Sequence, residues 1–330
     1  MVKSRPNIKL SLSVIIFCSI IFTFAHPTSN KSQSIKQKKR TFEGNLLGLS
    51  PMNLQRNGIS IGFLPAFGER ISPNDPKSIN ARLPVPMAIM GDYVDLASWD
   101  DQLTRIDFHM GWFSSIEGNP VWELALMPNE GLEMVTQDIA DKIGKKMRWI
   151  NEQGIIVWLR FAHEMNGDWY KWGQQPELFL EKWKLVFEAV KAQTDNTYML
   201  WAPNSRFAEV NEPHGGYNLY WPGPQYVDIV GLSFYHYGGH GRTNVLPPTQ
   251  HAISVLKNFS DLFSTPFNIP VVLAETAASY TRSIESGQPA WGGASEYDIK
   301  YQWIQQLLSK EMTEAVPNLR AIAWLQVSMI

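Results

Sequence analysis

A chain of 330 residues, 44% hydrophobic and 18% charged, is able to bury a large core and is neither a disordered nor a fibrous sequence. Eight of its 29 Lys and Arg precede residue 41 and no acid does, so the remainder carries 21 basic against 31 acidic residues. That net charge of −10 argues against nucleic acid as a partner, and the single cysteine, Cys18, leaves the same remainder without a disulfide or a cysteine metal site.

The chain begins with Lys3, Arg5 and Lys9 ahead of a 16-residue apolar run, Leu10 to Ala25, that closes on Thr23-Phe24-Ala25. Basic, apolar and small residues in that order predict a secretory signal peptide over 1–25, because the run falls short of the roughly 20 residues that span a bilayer. Residues 26–40, HPTSNKSQSIKQKKR, contain no acid and no apolar periodicity. They read as a basic flexible linker or pro-segment. The expectation is a secreted, extracellular monomer with no membrane association once the signal is cleaved.

From 41 to 330 no repeat or long linker intervenes, and one domain is predicted. Strands are expected at 59–64, 85–90, 121–127, 155–162, 198–202, 227–234, 271–274 and 321–325, with helices at 133–152, 176–193, 248–264 and 295–311. Apolar strands separated by amphipathic helices predict an α/β protein built as a (β/α)8 TIM barrel. An open doubly wound sheet is the alternative, but no Gly-rich phosphate fingerprint follows the first strand. The chain ends five residues after the eighth strand, so an eighth helix is expected to be missing, with 41–57 as the candidate to cover that flank.

Catalytic groups of such a barrel stand at the C-terminal ends of its strands, and a period of two says which side chains point inward. Along Ile155 to Glu164, the residues Val157, Leu159 and Phe161 share one face, which puts Trp158, Arg160, Ala162 and Glu164 inside and Glu164 at the mouth. In Ile269 to Glu275 the same count places Val271, Leu273 and Glu275 on one face. Two inward carboxylates suit glycoside hydrolysis, with retention at a separation of roughly 5–5.5 Å and inversion at roughly 6.5–9.5 Å. Structural ion pairing competes with that reading: Glu123 is a third inward acid, Asp92 and Asp228 lie near strands, and Arg160 is a partner for Glu123 or Glu164.

The aromatics add to the first reading. Trp169, Tyr170 and Trp172 follow Glu164 closely, and aromatic faces shed water against sugar C–H groups. Trp122, Trp149, Trp158, Trp183 and Trp303 lie inside regular elements and belong to the core, whereas Trp169, Trp172, Trp221 and Trp291 stand in loop-like contexts. Tyr235 is placed to donate a hydrogen bond to a nucleophilic carboxylate, and Trp324 to floor the pocket. A zinc site of the HExxH kind needs a second His at 167, which is Gly167, and Gly238 and Gly239 separate His236 from His240. No metal is expected from these spacings, and no GxSxG serine elbow is present.

The stretch RFAHEMNGDWYKW, Arg160 to Trp172, resembles the acid/base segment of glycoside hydrolase family 26, the β-mannanase family, and most closely its fungal members. WAPN (201–204), YWPG (220–223), VDIVGLSFYHYG (227–238), LAET (273–276) and AWL (323–325) extend the likeness in order. The resemblance implies a retaining endo-glycosidase, without metal or organic cofactor, acting on β-1,4-mannosidic linkages in mannan, galactomannan or glucomannan, so a plant-type or fungal β-linked polysaccharide is the partner. It also implies Glu164 as general acid/base and Glu275 as nucleophile, with Arg160, His163, Trp169, Trp172, Tyr235 and Trp324 binding substrate. Leu325 stands where some mannanases carry Arg. The alternatives are the same chemistry on β-1,3-xylan or mixed-linkage β-glucan, and an inactive carbohydrate-binding relative. The presence of both Glu164 and Glu275 ranks the enzyme above the binder.

Overall fold

Eight apolar segments pair in chain order and the last returns to the first: β1 (Ile59–Pro65), β2 (Ile89–Asp95), β3 (Val121–Met127), β4 (Val157–Phe161), β5 (Thr197–Trp201), β6 (Ile229–Ser233), β7 (Val271–Thr276) and β8 (Leu319–Gln326). Every neighbouring pair is parallel, including β8 with β1, so the sheet closes. The computed structural model describes residues 8–10, 47–65, 75–100, 103–207, 216–238 and 243–326. Its helices are α1 (Pro76–Asn80), α2 (Thr104–Phe113), α3 (Gln137–Glu152), α4 (Pro176–Lys191), α5 (His251–Phe263), α6 (Glu296–Leu307) and α7 (Lys310–Ala315). This is the expected (β/α)8 barrel. Between β5 and β6 the described residues form three short 3-10 turns, at Ser205–Phe207, Asn218–Tyr220 and Pro224–Tyr226, instead of an α-helix.

Strand alternation divides the core in two. Val157, Leu159 and Phe161 face outward and join α3 and α4 residues such as Ile143, Met147, Phe179 and Trp183 in the larger cluster. Trp158, Leu200, Ile229, Val272, Ala274 and Ala321 fill the barrel interior. Helix ends follow ordinary cap chemistry: Thr136, Ser295 and Ser309 each accept a hydrogen bond from the backbone N–H three residues on, and Pro176 opens α4.

The second strand starts later than expected, at Ile89 instead of 85, because Pro84 and Pro86 have no N–H to give a ladder. The strand continues through Asp92, whose buried carboxylate meets His109 Nδ1 of α2 at 2.6 Å. Asp92 is therefore a structural partner of a helix, and so is Asp228, which pairs with Lys191 at 2.8 Å and accepts from Met199 N at 2.6 Å.

Of the segment expected to cover the flank beside β8, the described part, 47–57, begins at the lower mouth of the barrel and ends with Asn57 donating to Leu308 O at 2.7 Å, between α6 and α7. Leu47 and Leu49 pack with Ala88, Ile89, Val121, Ile156 and Ile229, residues at the beginnings of strands, and so close the lower mouth of the barrel. Trp158 Nε1 donates to Leu47 O at 2.9 Å. Gly48 passes so close to the barrel that a Cβ there would lie 2.6 Å from Ile156 Cγ2, at a φ of +80° that only glycine adopts at no steric cost. Asn53 then ties the segment to Met87 O and Gly118 O, and Gln55–Arg56 pairs antiparallel with β1.

Apart from Ile8–Leu10, which pair antiparallel with Thr281–Ser283 after β7, the expected signal peptide and linker lie outside the described residues, as do residues 41–46. Among the described residues no helix is long and apolar enough to cross a membrane.

Candidate active site

At the C-terminal end of β4 the chain leaves the strand at Phe161 and makes a turn in which Ala162 and Glu164 both adopt positive φ, 46° and 54°. Alternation does not extend through such residues, so this turn delivers Glu164 to the barrel mouth instead of a continued strand. Glu164 N donates to Ala202 O at 2.8 Å and Gly167 N to Glu164 O at 2.9 Å, which pins the turn against the end of β5. Asn166 clamps the same two loops: its Nδ2 donates to Asn204 O and its Oδ1 accepts from Asn204 N, both at 2.8 Å. Asn204 in turn donates to Glu164 Oε1 at 2.9 Å, and Trp169 Nε1 donates to Glu164 Oε2 at 2.9 Å. Gly167 leaves room for that indole, since a Cβ there would fall 2.4 Å from the Trp169 ring.

Glu275 also reaches the site by a departure from regular alternation. Val271 and Leu273 lie in the outer cluster, and Val272 and Ala274 in the interior one. Strict alternation would turn Glu275 outward, so the face assigned to Val271, Leu273 and Glu275 together is corrected. An advance of two residues on β6, from Gly231 to Ser233, is matched by an advance of three on β7, from Val272 to Glu275, and β8 shows the same mismatch between Ile322 and Trp324. This bulge on β7 turns Glu275 inward and leaves Thr276 outward, where it accepts from Trp303 Nε1 of α6 at 2.9 Å.

Arg160 organises the space beneath the two carboxylates. Its fully buried guanidinium donates through Nη1 to Glu275 Oε2 at 2.5 Å and through Nη2 to Ser233 Oγ, while Nε faces Glu123 Oε1 at 4.0 Å. Tyr235 donates its hydroxyl to the other oxygen, Glu275 Oε1. Burial opposes the Arg160 charge, but Glu275 first, then Tyr93 and Glu123, outweigh it and keep the guanidinium protonated. The Glu164 carboxyl is raised above the ordinary range by burial and next by the charge of Glu275, against the lowering effect of Arg160, Ser233 and Asn204. One acid is thus shifted toward its protonated form beside a second carboxyl group gripped by two donors.

Of the expected substrate contacts, two are fully enclosed by the protein. Trp172 has no exposed surface; it stacks on Tyr170 with ring centroids 4.1 Å apart and donates to His163 O at 2.8 Å, supporting the turn from behind. Arg160 is equally buried and acts on Glu275, not on a ligand. Trp324, almost fully buried, is the register partner of Phe63 on β1 and of Thr276 on β7, the residue after Glu275. His163 sits under the site among Tyr93, Tyr170 and Trp172. Burial, with Arg160 adding to it, lowers its imidazole well below the ordinary value, so it is neutral. Trp169, 37% exposed, donates to Glu164, and Tyr235 lies against Glu275.

Sequence reasoning missed Asn204, Ser233, Tyr93 and Tyr237 as site residues. The signal for Asn204 was its place at the end of a strand in WAPN, and Ser233 shares the inward parity of Tyr235. Tyr237, 54% exposed, packs on Tyr235 with centroids 5.2 Å apart, and its phenol is raised by burial, by Glu164 and by Glu275. Exposed Trp99, Trp169, Tyr237 and Trp291 follow β2, β4, β6 and β7, so a row of aromatic surface shares one end of the barrel with the carboxylates. Trp221, by contrast, is ringed by Trp201, Phe263 and Phe267.

Residues 122–264 match the model of Glycosyl hydrolase family 26, a stretch that includes Glu164 and stops short of Glu275. The chain is 26% identical to mannan endo-1,4-beta-mannosidase A and B of Caldalkalibacillus mannanilyticus over 33% of this chain and 22% of that protein. It is also 26% identical to a beta-1,3-xylanase of a Vibrio species, over 53% of this chain and 38% of the relative. The matches therefore span well under half the length of these curated relatives. Among solved structures, a Bacillus subtilis mannanase superposes with a TM-score of 0.52 and 16% identity, covering 86% of this chain and 83% of that one, which is a likeness of fold.

Proposed function

We propose that the chain, whose residues 122–264 match the model of glycosyl hydrolase family 26, is a member of that family and a retaining endo-glycosidase acting on β-1,4-mannosidic linkages in mannan, galactomannan or glucomannan. One observation carries the reading: Glu164, its carboxyl raised above the ordinary range by burial and by Glu275, stands beside Glu275, which is held by Arg160 and Tyr235. Glu275 attacks the anomeric carbon while Glu164 gives its proton to the departing oxygen. Once Glu275 is a neutral ester, the charge that helped to raise Glu164 is gone, and Glu164 takes a proton from the water that releases the sugar. Trp169 presents its face to a sugar next to the scissile bond, and Tyr237 and Trp291 extend the aromatic surface. His163 keeps Tyr170 and Trp172 in place beneath. We further propose that the protein is secreted as a monomer after removal of residues 1–25.

A second reading keeps the mechanism and changes the sugar to β-1,3-xylan, favoured by the Vibrio relative with its wider match. Reducing-sugar release from galactomannan, glucomannan, β-1,3-xylan and mixed-linkage β-glucan separates the two. Release from a mannan alone supports the first; release from β-1,3-xylan alone overturns it, and binding without release from any polymer points to an inactive carbohydrate-binding protein.

The acid role also predicts a pH effect. Asn204 stabilises the charged form of Glu164, so Asn204→Ala should raise the Glu164 pKa further. Because the acid form is the active one, the alkaline limb of kcat/KM should move to higher pH, with activity at the optimum down by about tenfold for the loss of a hydrogen bond to a charged group. A limb that stays in place or moves to lower pH would show that Glu164 is not the group titrating there.

A further inference from the structure

Beneath the catalytic pair lies a carboxylate that the two-step reaction does not use. Glu123, on β3 and 1% exposed, points into the barrel interior, and neither of its oxygens has a hydrogen-bond partner. The Nε of Arg160 is likewise without one, and it faces Glu123 across 4.0 Å while the far end of the same guanidinium holds Glu275. The groups that bear on Glu123 are Arg160 from β4, Glu275 from β7 and Tyr93 from β2. A buried guanidinium thus stands between two carboxyl groups, one hydrogen-bonded and one held in reserve.

The reaction disturbs this balance. In glycosylation the Glu275 oxygen forms a bond to the anomeric carbon, the bond to the leaving oxygen breaks, and the Glu164 proton moves to that oxygen. Glu275 becomes a neutral ester and the negative charge moves to Glu164, which ranks behind both Glu275 and Glu123 in its effect on Arg160. A buried cation that loses its counter-ion is costly, and the intermediate bears that cost.

We propose that Glu123 is a positioning residue that supplies the counter-charge of Arg160 when glycosylation neutralises Glu275. In the free protein the Glu123 carboxyl is pushed up to about 8, by burial first, with Arg160 lowering it and Glu275 raising it. Esterification of Glu275 removes the last of these, and Glu123 releases its proton to solvent and faces Arg160 as an anion. Glu123 therefore steadies the covalent intermediate relative to the free enzyme.

This inference rests on the retaining reading above, and the test separates the two. Wild type and Glu123→Gln are treated with an activated dinitrophenyl fluoromannoside, and the rates of labelling and of recovery after removal of excess reagent are measured, with the labelled residue identified by mass spectrometry. Gln keeps the shape of Glu123 and breaks no hydrogen bond, so the variant should fold with a melting temperature no lower than wild type at neutral pH. Labelling should slow by about tenfold and recovery should quicken, because the intermediate alone loses its counter-charge. Glu123→Asp, which keeps a carboxylate, should fall between the two and covers the case in which the amide variant does not fold. Labelling and recovery that slow together, as from a merely distorted site, or that both stay unchanged, would overturn the proposal. A wild type that takes no label on Glu275 would overturn the two-step reading and the inference with it.

Discussion

Glu275→Gln should lower kcat by on the order of 10⁴-fold or more on whichever polysaccharide the wild type cleaves. An amide has nearly the shape of the carboxylate and still offers an oxygen to Arg160 or Tyr235, so the site keeps its outline. What it lacks is the nucleophile, and no neighbouring group replaces it: Glu164 is held by Asn204 and Trp169 on the other side of the bond to be broken, and Glu123 lies buried below Arg160. The loss should appear in kcat and in kcat/KM alike, because the missing interaction is made only along the reaction path. Stability should fall as well, toward the low end of the roughly 3–5 kcal/mol that a buried charge costs when left unpaired, since Glu123 remains beside Arg160. Kinetics on the purified, folded variant and a melting curve check both parts. Turnover at the wild-type level would sink the assignment of Glu275.

Arg160→Lys should be nearly as severe, although it preserves the charge. The guanidinium serves three directions from one rigid plane, with Nη1 on Glu275, Nη2 on Ser233 and Nε toward Glu123. An ammonium is a single point on a flexible stem and meets at most one of them from the same backbone position. A drop in kcat of about 10²–10³-fold is expected, the size of effect that follows from misplacing a reacting group by about 1 Å. Arg160→Met removes the charge too. It leaves Glu275 buried without its cation, and should cost roughly 3–5 kcal/mol of stability, read as a fall of several degrees in the melting temperature. If Arg160 bound substrate directly, the lysine variant would show its loss in KM; unchanged kcat with raised KM would contradict the positioning role.

Much of the barrel was legible because apolar strands buried on both faces form near-continuous runs, and seven of the eight were located to within about two residues at their starts. The second strand was misread where prolines interrupt its approach and acids lie within it. Helices α1 and α2 were missed altogether. α1 spans only five residues, and α2 has few buried positions, Ile106 and Phe113 being the ones fully enclosed, so neither carries a strong apolar stripe.

The two glutamates were found by counting alternate residues, and at both the count breaks down. Glu164 follows a residue of positive φ and has one itself, and Glu275 lies past a bulge that reverses the sense of β7. Backbone irregularities of this kind re-aim side chains at active sites, and no period of two contains them. The resemblance of RFAHEMNGDWYKW and LAET to a family points to the same residues for a different reason, one that does not depend on the strand count.

By itself the sequence determined the barrel, the pair of carboxylates and the aromatic wealth around them, because burial patterns and residue chemistry are local properties of the chain. The tertiary structure alone decided which aromatics face a ligand. Trp169 and Trp172 stand three residues apart in the same polar loop, yet one lies on the surface beside Glu164 and the other is sealed behind His163. It also decided that Arg160 serves the nucleophile and that Glu123 waits beneath it. Those roles depend on distances between strands far apart in sequence, and such distances exist only once the sheet has closed.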